Sequence, residues 1–412
     1  MDKILCVERF GSNKQQQHTV YTHDGLSRKM KPSGGAIVSK SVTQVLKSIF
    51  LPQGYPDSVS DDYLEYQVWD TIQAFCSSIT GALATQAVLK GSGVGDETAN
   101  VASATVTWLL KDGTGMVGRI AFAYYQGANL DRDAKRWRLF ADVLNDCAIF
   151  VTLVAPLFPK SFFTPITCVA GLAFSLVGVA GGCTRAALTV HQARRNNMAD
   201  VSAKDGSQET MVNLAALIIN LFLTPIVSGN IQLTWILFAI FTFFHIYSNY
   251  KAVSCVIMNT FNYSRLKIVI DHCFLSPGYG EILDPVAANL KEPVVLGFPD
   301  PNIRAGCMLR EIDIGSEQFI HILKTNPNTK FISSSKQGIY CVAFRDIAIP
   351  EDVIKAYFEA HIGKISNHMK PENAINWTEF SKELQQKGWD INRHQLSVDE
   401  WRWSTEEFDK IK

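Results

Sequence analysis

The residues best suited to chemistry lie in one polar segment between two apolar stretches of the chain. Within 25 residues the segment offers guanidinium, imidazole, ammonium, carboxylate and hydroxyl groups. They are Arg185, His191, Lys204, Asp205, Ser207 and Glu209. Cationic groups bind anionic oxygens, and an imidazole titrates near neutral pH. The segment therefore predicts a ligand-binding or gating loop at the mouth of a helical bundle.

The same segment has a second interpretation as an ordinary surface loop. Ser207 is then the N-cap of the following helix, and Glu209 lies in the first turn, where the helix dipole favours an acidic group. The residues alone leave both interpretations open.

Motifs of established enzyme classes supply no catalytic residue. Gly113, Gly115 and Gly118 match the G-x-G-x-x-G spacing of dinucleotide sites, but a helix-like segment precedes them where the fingerprint requires a strand. Their spacing favours close helix packing or a hinge. The sequence has no H-E-x-x-H or G-x-S-x-G motif and no cysteine cluster with metal-ligand spacing. We therefore expect a non-enzymatic protein without a metal site.

Small residues mark the apolar helix that ends at Arg185. Gly178 and Gly182 form a G-x-x-x-G pair, and Gly171 and Ser175 have the same spacing. Small residues at this spacing let helix backbones approach closely in lipid. We expect these four residues to lie at helix–helix contacts.

Charge is distributed unevenly along the 412 residues. Basic and acidic side chains number 39 each, which argues against a nucleic-acid-binding protein. Only 11 of the 126 residues from 139 to 264 are charged, whereas 39 of the last 148 are. The chain therefore joins an apolar central region to a polar C-terminal region.

Two apolar hairpins are predicted in the central region, at about 147–184 and 211–247. Residues 161–184 and 210–250 contain no formally charged side chain, and about 20 apolar residues suffice to cross a membrane. With four crossings, every basic cluster lies on one side, as the positive-inside bias requires, and the hairpin tips hold only Lys160. The alternative is a soluble core of buried helices. We expect a multi-helix bundle embedded in a lipid membrane.

The remaining segments complete a mainly α fold. We expect a polar N-terminal lead at 1–39, a helical domain at 40–275 and a smaller C-terminal α+β domain at 276–412. Helices are predicted from Ser60 to Leu89, up to Asp112–Gly113 and over 116–125, and strands over 330–334 and 338–344. The nine cysteines include no C-x-x-C pair, and the first ten residues lack secretory or transit character. We therefore expect a reducing compartment for the polar parts of the chain, and membrane insertion through internal segments.

Several segments resemble the root UVB-sensitive (RUS) family. They are residues 50–52 (FLP), 54–56 (GYP), 62–67 (DYLEYQ), 111–116 (KDGTGM), 134–138 (AKRWR) and 178–189 (GVAGGCTRAALT). The resemblance is dense over about 40–275. It implies a membrane-associated protein that is tied to vitamin B6 homeostasis and acts with a homologous partner. It supplies no agreed catalytic residue.

The resemblance suggests one sharper hypothesis, a pyridoxal phosphate site. Lys204 would form the Schiff base and Arg185 would bind the phosphate. No other feature of a pyridoxal enzyme accompanies them, so we expect no cofactor. The leading expectation is a membrane protein that handles or senses a small molecule. The alternative is a membrane scaffold that packs against a homologous protein.

Overall fold

Helices dominate the part of the chain that the computed structural model describes. This part comprises residues 3–9, 18–23, 31–33, 42–92, 101–275, 281–295, 302–365 and 376–405. Its helices are α1 (Val42–Phe50), α2 (Tyr63–Gly91), α3 (Val101–Leu130), α4 (Ala134–Val154), α5 (Lys160–Gln192), α6 (Met198–Val227), α7 (Ile231–Cys255), α8 (Tyr263–Leu275), α9 (Pro285–Lys291), α10 (Ser316–Thr325), α11 (Pro350–Ile365) and α12 (Trp377–Gln386). The mainly α prediction is confirmed.

Two compact units interleave along the sequence. The first contains residues 1–101, 149–163 and 185–252, and the second contains 102–148, 164–184 and 253–412. The predicted domain boundaries at 39/40 and 275/276 involve residues outside the described part, and the division into three domains stays a prediction.

Five helical segments are long and apolar enough to cross a membrane by length and composition. They are Tyr63–Gly91, Ala134–Leu157, Lys160–Gln192, Met198–Val227 and Ile231–Cys255. Four of these contain the predicted hairpins. The fifth segment, Tyr63–Gly91, was not among the four crossings expected from the sequence.

The predicted turn between α6 and α7 is confirmed. Gly229 adopts a positive φ of 94°, a conformation that costs a residue without a Cβ little. Asn230 then caps α7 because its side-chain oxygen accepts a hydrogen bond from the backbone N–H of Leu233 at 3.0 Å. The turn reverses the chain after three residues.

The polar loop predicted over residues 196–210 is wrong, because α6 begins at Met198. Ser207 is inside this helix rather than at its cap, and its hydroxyl donates to the carbonyl oxygen of Ala203 at 2.9 Å. The connection from α5 spans only residues 193–197. Polarity suggested a loop, but several polar side chains in these helical turns are paired with other helices.

The break predicted at Asp112–Gly113 is also wrong, because α3 is one continuous helix of 30 residues. A glycine in a helix costs roughly 1 kcal/mol relative to alanine, which packing against a neighbour offsets. A Cβ added at Gly115 would lie 3.3 Å from the carbonyl oxygen of Gly171 in α5. The glycines thus permit a close helix contact, as the packing interpretation of their spacing expected.

The first unit also contains a small antiparallel sheet. Strands β1 (Lys3–Arg9), β2 (His18–His23) and β3 (Lys31–Ser33) pair in that order. Elsewhere in this unit, Val59, Tyr63 and Val201 form a buried cluster between the segment that precedes α2 and the start of α6. This cluster holds α6 beside α2.

The second unit contains the C-terminal sheet, in which β4 (Ile303–Ala305), β6 (Ile339–Arg345) and β5 (Phe331–Lys336) lie in that order. The hairpin of β5 and β6 confirms the predicted strand pair, and β7 (Arg402–Trp403) adds to β6 in parallel. Helices α8, α11 and α12 contribute to the buried core that covers the sheet. Apolar side chains of β6 are buried at four successive positions, as expected for a strand covered on both faces.

Candidate functional site

Polar side chains at and within α2 contact three other long helices of the first unit. The contacts are His191 Nε2 to Asp62 Oδ2 at 2.9 Å, Gln67 Nε2 to Asp205 Oδ1 at 3.2 Å, and Gln73 Nε2 to His245 Nε2 at 2.9 Å. The partners belong to α5, α6 and α7 respectively. Polar groups inside apolar helices are costly unless they are paired or functional. These contacts therefore locate the candidate site where α2 meets α5, α6 and α7.

The centre of the site is the Arg185 cluster, which we define as Gln67, Arg185, Asp205 and Glu209. Arg185 Nε donates to Asp205 Oδ2 at 2.5 Å, and its Nη1 donates to Glu209 Oε2 at 2.5 Å. Asp205 and Glu209 are four residues apart, which places both carboxylates on one face of α6. With every group ionised, two negative charges surround one positive charge.

The Arg185 cluster is reachable from solvent on one side. The side chains of Arg185 and Glu209 are 34% and 42% exposed, whereas that of Asp205 is 9% exposed. Arg185 has a third donor nitrogen, Nη2, which makes no hydrogen bond within the described residues. The cluster can therefore offer a cationic donor and two carboxylate oxygens to a small molecule.

Tyr63 adds a buried hydroxyl to the same region. Its side chain is fully buried, and its hydroxyl interacts with the side chain of Gln208. It interacts electrostatically with Asp205. Tyr63 therefore links the start of α2 to the part of α6 that carries Asp205 and Gln208.

A second group of polar residues lies where α2 begins and α5 ends. Asp62 accepts a hydrogen bond from Ser60 and faces the imidazole of His191. In a serine hydrolase the histidine lies between the serine and the aspartate and removes the serine proton. Here the carboxylate lies between the other two groups, so this geometry does not activate Ser60 as a nucleophile.

Helix α7 carries a polar face of its own. Thr242, His245 and Asn249 lie at positions i, i+3 and i+7, which share one side of a helix. His245 is fully buried and bonded to Gln73, and Asn249 is 1% exposed. Neither amide atom of Asn249 has a hydrogen-bond partner in the described part of the chain. The polar region therefore continues along α7 beyond the Arg185 cluster.

The structure places the six predicted ligand-binding residues differently from one another. Arg185, Asp205 and Glu209 lie together. His191 lies about 1.7 turns further along α5 and contacts Asp62. Lys204 Nζ instead donates to the carbonyl oxygen of Ser48 at 2.6 Å. A lysine there satisfies a free carbonyl at the C-terminal end of α1.

The four small residues predicted at helix–helix contacts also differ in their surroundings. A Cβ added at Gly171 would lie 3.2 Å from the carbonyl oxygen of Lys111, and one added at Gly115 would collide with Ser175 Oγ. Gly171 and Ser175 therefore lie where α5 meets α3. An added Cβ at Gly178 or Gly182 would have no atom of the described residues within 4 Å. That pair faces outward.

Residues that sequence reasoning missed include Asp62, Gln67 and Gln73. They contact residues 129, 138 and 172 positions away, so no local pattern reveals their partners. One signal was available, because polar residues recur within a helix that is otherwise apolar enough to cross a membrane. Such residues are functional candidates by default.

The second unit contains a buried ionic network that the sequence analysis also missed. Glu292 lies 2.9 Å from Arg265 Nη1 and 3.1 Å from Lys135 Nζ, and Arg136 Nε donates to the carbonyl oxygen of Pro293 at 2.8 Å. Burial alone would raise the pKa of Glu292, but Arg265 and Lys135 lower it to about 2. The network attaches the start of α4 to the segment that follows α9.

No metal centre accompanies either region in the part of the chain that the structure describes. There, no group of three histidine, cysteine, aspartate or glutamate side chains is arranged to hold an ion.

Comparison with known proteins identifies the family. Residues 38–276 match the family described as "Vitamin B6 photo-protection and homoeostasis domain". Residues 281–376 and 364–405 match "Root UVB sensitive protein, C-terminal". No solved structure matches the fold.

Curated relatives agree with these matches. The chain is 47% identical to "RUS family member 1" of Dictyostelium discoideum over 270 residues, which are 65% of this chain and 51% of that protein. The chain thus spans about half the length of that relative. It is 34% identical to "Protein root UVB sensitive 3" of Arabidopsis thaliana, covering 86% of this chain and 84% of that protein. It is 26% identical to "Protein root UVB sensitive 2, chloroplastic", covering 90% and 88%.

The first family covers more than half of the chain, and it includes both the Arg185 cluster and the apolar helices that carry it. The chain therefore belongs to the root UVB-sensitive (RUS) family.

Proposed function

We propose that this protein is a non-enzymatic membrane protein that binds a small molecule related to vitamin B6 at the Arg185 cluster. The observation that carries the proposal is a partly exposed guanidinium between two carboxylates, on helices whose outer surfaces are apolar. Charged groups at such a position mark ligand or ion sites in membrane proteins.

The apolar surface of α6 and α7 supports membrane embedding. Leu221, Phe222 and Phe243 are 66%, 72% and 64% exposed. Only 17% of the most apolar window of each helix is buried within the protein. A continuous surface of this kind is far larger than the scattered apolar residues of soluble proteins. Bilayer hydrocarbon is the solvent that matches it.

The chemistry of the cluster supports a ligand with groups of both charge signs. Arg185 Nη2 can donate to an anionic oxygen such as a phosphate oxygen. Asp205 and Glu209 can accept from a protonated ring nitrogen or a hydroxyl. Phosphorylated forms of vitamin B6 carry a phosphate, a ring nitrogen and hydroxyl groups, and the description of the matched family names vitamin B6.

Binding rather than catalysis is supported by the arrangement of Ser60, Asp62 and His191. The carboxylate separates the hydroxyl from the imidazole, so the general base cannot reach the nucleophile. Lys204, which a Schiff base would require, donates to the end of α1.

Equilibrium dialysis of the full chain in detergent tests the proposal, with pyridoxine 5′-phosphate as the probe. This compound has no aldehyde, so it does not label surface lysines. The proposal expects saturable binding that Arg185→Gln weakens at least about tenfold, which corresponds to 1.4 kcal/mol. Arg194→Gln is the matched control. Arg194 is exposed, and its substitution removes the same charge near the same end of α5. Equal loss in both variants, or no binding by the wild-type chain, refutes this ligand.

A scaffold function is the second candidate. It is favoured by the outward-facing pair Gly178 and Gly182, since small residues at this spacing pack against another helix in lipid. Co-purification of two differently tagged copies, or of the chain with a homologous protein, tests it. Loss of that association in Gly182→Leu with retained folding supports a scaffold, whereas unaffected association excludes this face.

A further inference from the structure

Helix α3 is as long as the five candidate membrane spans but is not one of them by composition. Its 30 residues include Lys111, Asp112 and Arg119 together with several glycines, which lower its mean hydropathy. Composition treats each helix in isolation. The packing of α3 within the second unit gives independent information about its position.

Helix α3 runs alongside α5 and in the same direction. Near the beginning of both helices, the hydroxyls of Thr107 and Thr164 lie 2.8 Å apart. Further along, Gly115 meets Ser175, and an added Cβ at Gly115 would be 3.3 Å from the carbonyl oxygen of Gly171. The contact points therefore advance together along both chains.

The alignment continues towards the end of α3. Phe122 and Val179 both pack against the buried cluster that contains Leu130, Trp137 and Ala180. From Thr107 to Phe122, α3 advances 15 residues, and from Thr164 to Val179, α5 advances the same number. That length corresponds to about 22 Å of helix. The segment of α5 concerned lies inside its uncharged stretch, residues 161–184.

The face of α3 that points away from α5 is apolar and exposed. Leu109, Val117, Ile120 and Tyr124 are 66%, 69%, 72% and 82% exposed. Trp108 and Tyr125 lie towards the two ends of α3, 17 residues or about 25 Å apart. Aromatic side chains at such a separation match the two interfaces of a bilayer whose hydrocarbon core is about 30 Å thick.

We infer that α3 is a sixth membrane-spanning helix, with bilayer hydrocarbon against its exposed apolar face. The inference rests on the membrane embedding in the proposed function. If α5 crosses the bilayer, a parallel helix in contact with it over the same length crosses as well. Six helices, α2 to α7, then cross in succession.

The ionisable residues explain why composition alone misses this helix. Lys111 and Asp112 lie about one turn after Trp108, and the ammonium of Lys111 is 4.9 Å from the centre of the Trp108 ring. Arg119 follows Gly118, which meets Leu172 of α5. Leu172 is at the middle of the uncharged stretch of α5. A charge at that depth is costly. Close packing on α5 through Gly115 and Gly118 therefore holds α3 in place.

The number of crossings determines the sides of the membrane on which three points of the chain lie. We would place one tag at each terminus and a protease cleavage site after Ser92, between α2 and α3. Microsomes from cells that express the full chain are treated with protease with and without detergent. Six crossings put both tags on one side and the Ser92 site on the other.

The alternatives give different patterns. If α3 does not cross but the five candidate spans do, the Ser92 site and the C-terminal tag share a side opposite to the N-terminal tag. If only α4 to α7 cross, all three points share one side. Either pattern overturns the inference. Labelling of Ser92→Cys by a membrane-impermeant maleimide, above the signal of the unmodified chain, gives the same information without an insertion.

Carbonate extraction of the same microsomes separates the two proposals. A chain that is extracted refutes membrane embedding, and with it the proposed function. A chain that resists extraction but shows either alternative pattern refutes only the sixth crossing.

Discussion

Substitution of Glu292 by glutamine is expected to destabilise the second unit severely. Glu292 is buried and lies between Arg265 and Lys135, whose side chains are 1% and 3% exposed. Removing the carboxylate charge leaves two buried cations without their counter-ion. Breaking a buried ion pair in this way costs about 3–5 kcal/mol. The lowered pKa gives a similar magnitude, because a change from 4.5 to about 2 corresponds to about 3 kcal/mol.

The assay is thermal unfolding of the full chain in detergent, followed with a thiol-reactive dye. Cys273, Cys307 and Cys341 are buried in the second unit and become reactive when it unfolds. A loss of 3–5 kcal/mol lowers Tm on the order of 10 °C in a chain of this size. Glu317→Gln is the control, because Glu317 is exposed on α10 and should change Tm by no more than about 2 °C.

The pH dependence adds a second readout. The folded state holds the pKa of Glu292 below its unfolded value, so its contribution to stability is complete above about pH 4.5. The contribution is lost as the pH falls from there towards about 2. The difference in Tm between wild type and Glu292→Gln should therefore narrow in acid. A Tm equal to wild type at pH 7, or a difference that grows in acid, refutes the reasoning.

Five further substitutions test three other features of the structure. Gly306→Ala should lower stability by more than about 2 kcal/mol, because Gly306 has φ +76° and its new Cβ would collide with the backbone of Asp399. Gly338→Ala is the control for the same thermal assay. Gly338 has φ +80° but open space around it, so this substitution should cost only about 1 kcal/mol. Lys204→Met should leave binding of pyridoxine 5′-phosphate within about twofold of wild type, since its ammonium caps α1, and a tenfold loss would contradict the assignment. Gly113→Ala should be neutral or slightly stabilising, because a Cβ added there would have nothing within 4 Å. Gly115→Leu should disrupt the contact of α3 with α5 and lower Tm. Equal Tm values for the two variants would contradict that contact.

The apolar helices were predictable because an uncharged stretch of about 20 or more residues favours a helix long enough to cross a membrane. The turn at Gly229–Asn230 was likewise visible, since a glycine and a capping residue interrupt a 41-residue uncharged run. These signals are local. They depend on the hydrophobicity and backbone preferences of neighbouring residues rather than on distant contacts.

The first turns of α6 were not predictable, because their helical state depends on distant residues. Asp205 is paired with Arg185 and Gln67, and Gln208 donates to the carbonyl oxygen of Phe50 at 2.6 Å. Without those partners, the same polar residues are typical of a loop. The continuity of α3 through Gly113 depends in the same way on α5, which only the folded chain brings near.

The candidate site was predictable as a set of side chains but not as a geometry. Arg185, Asp205 and Glu209 stood out because they lie in a short polar segment between two apolar stretches. Their assignment to one face of α6, and the contribution of Gln67 from α2, required the helix and its neighbours. Lys204 could not be separated from Asp205 by sequence, although adjacent positions on a helix face different directions.

That difference in direction gives α6 two attachments about 100° apart around its axis. Asp205 and Glu209 hold it to α5 through Arg185, while Lys204 and Gln208 hold the last carbonyls of α1. Turning α6 by a single position about its own axis would swing both sets out of reach at once. The position of α1 (Val42–Phe50) therefore depends on the rotation of α6 about its axis. A change elsewhere that rotates α6 would also break its contacts with α1.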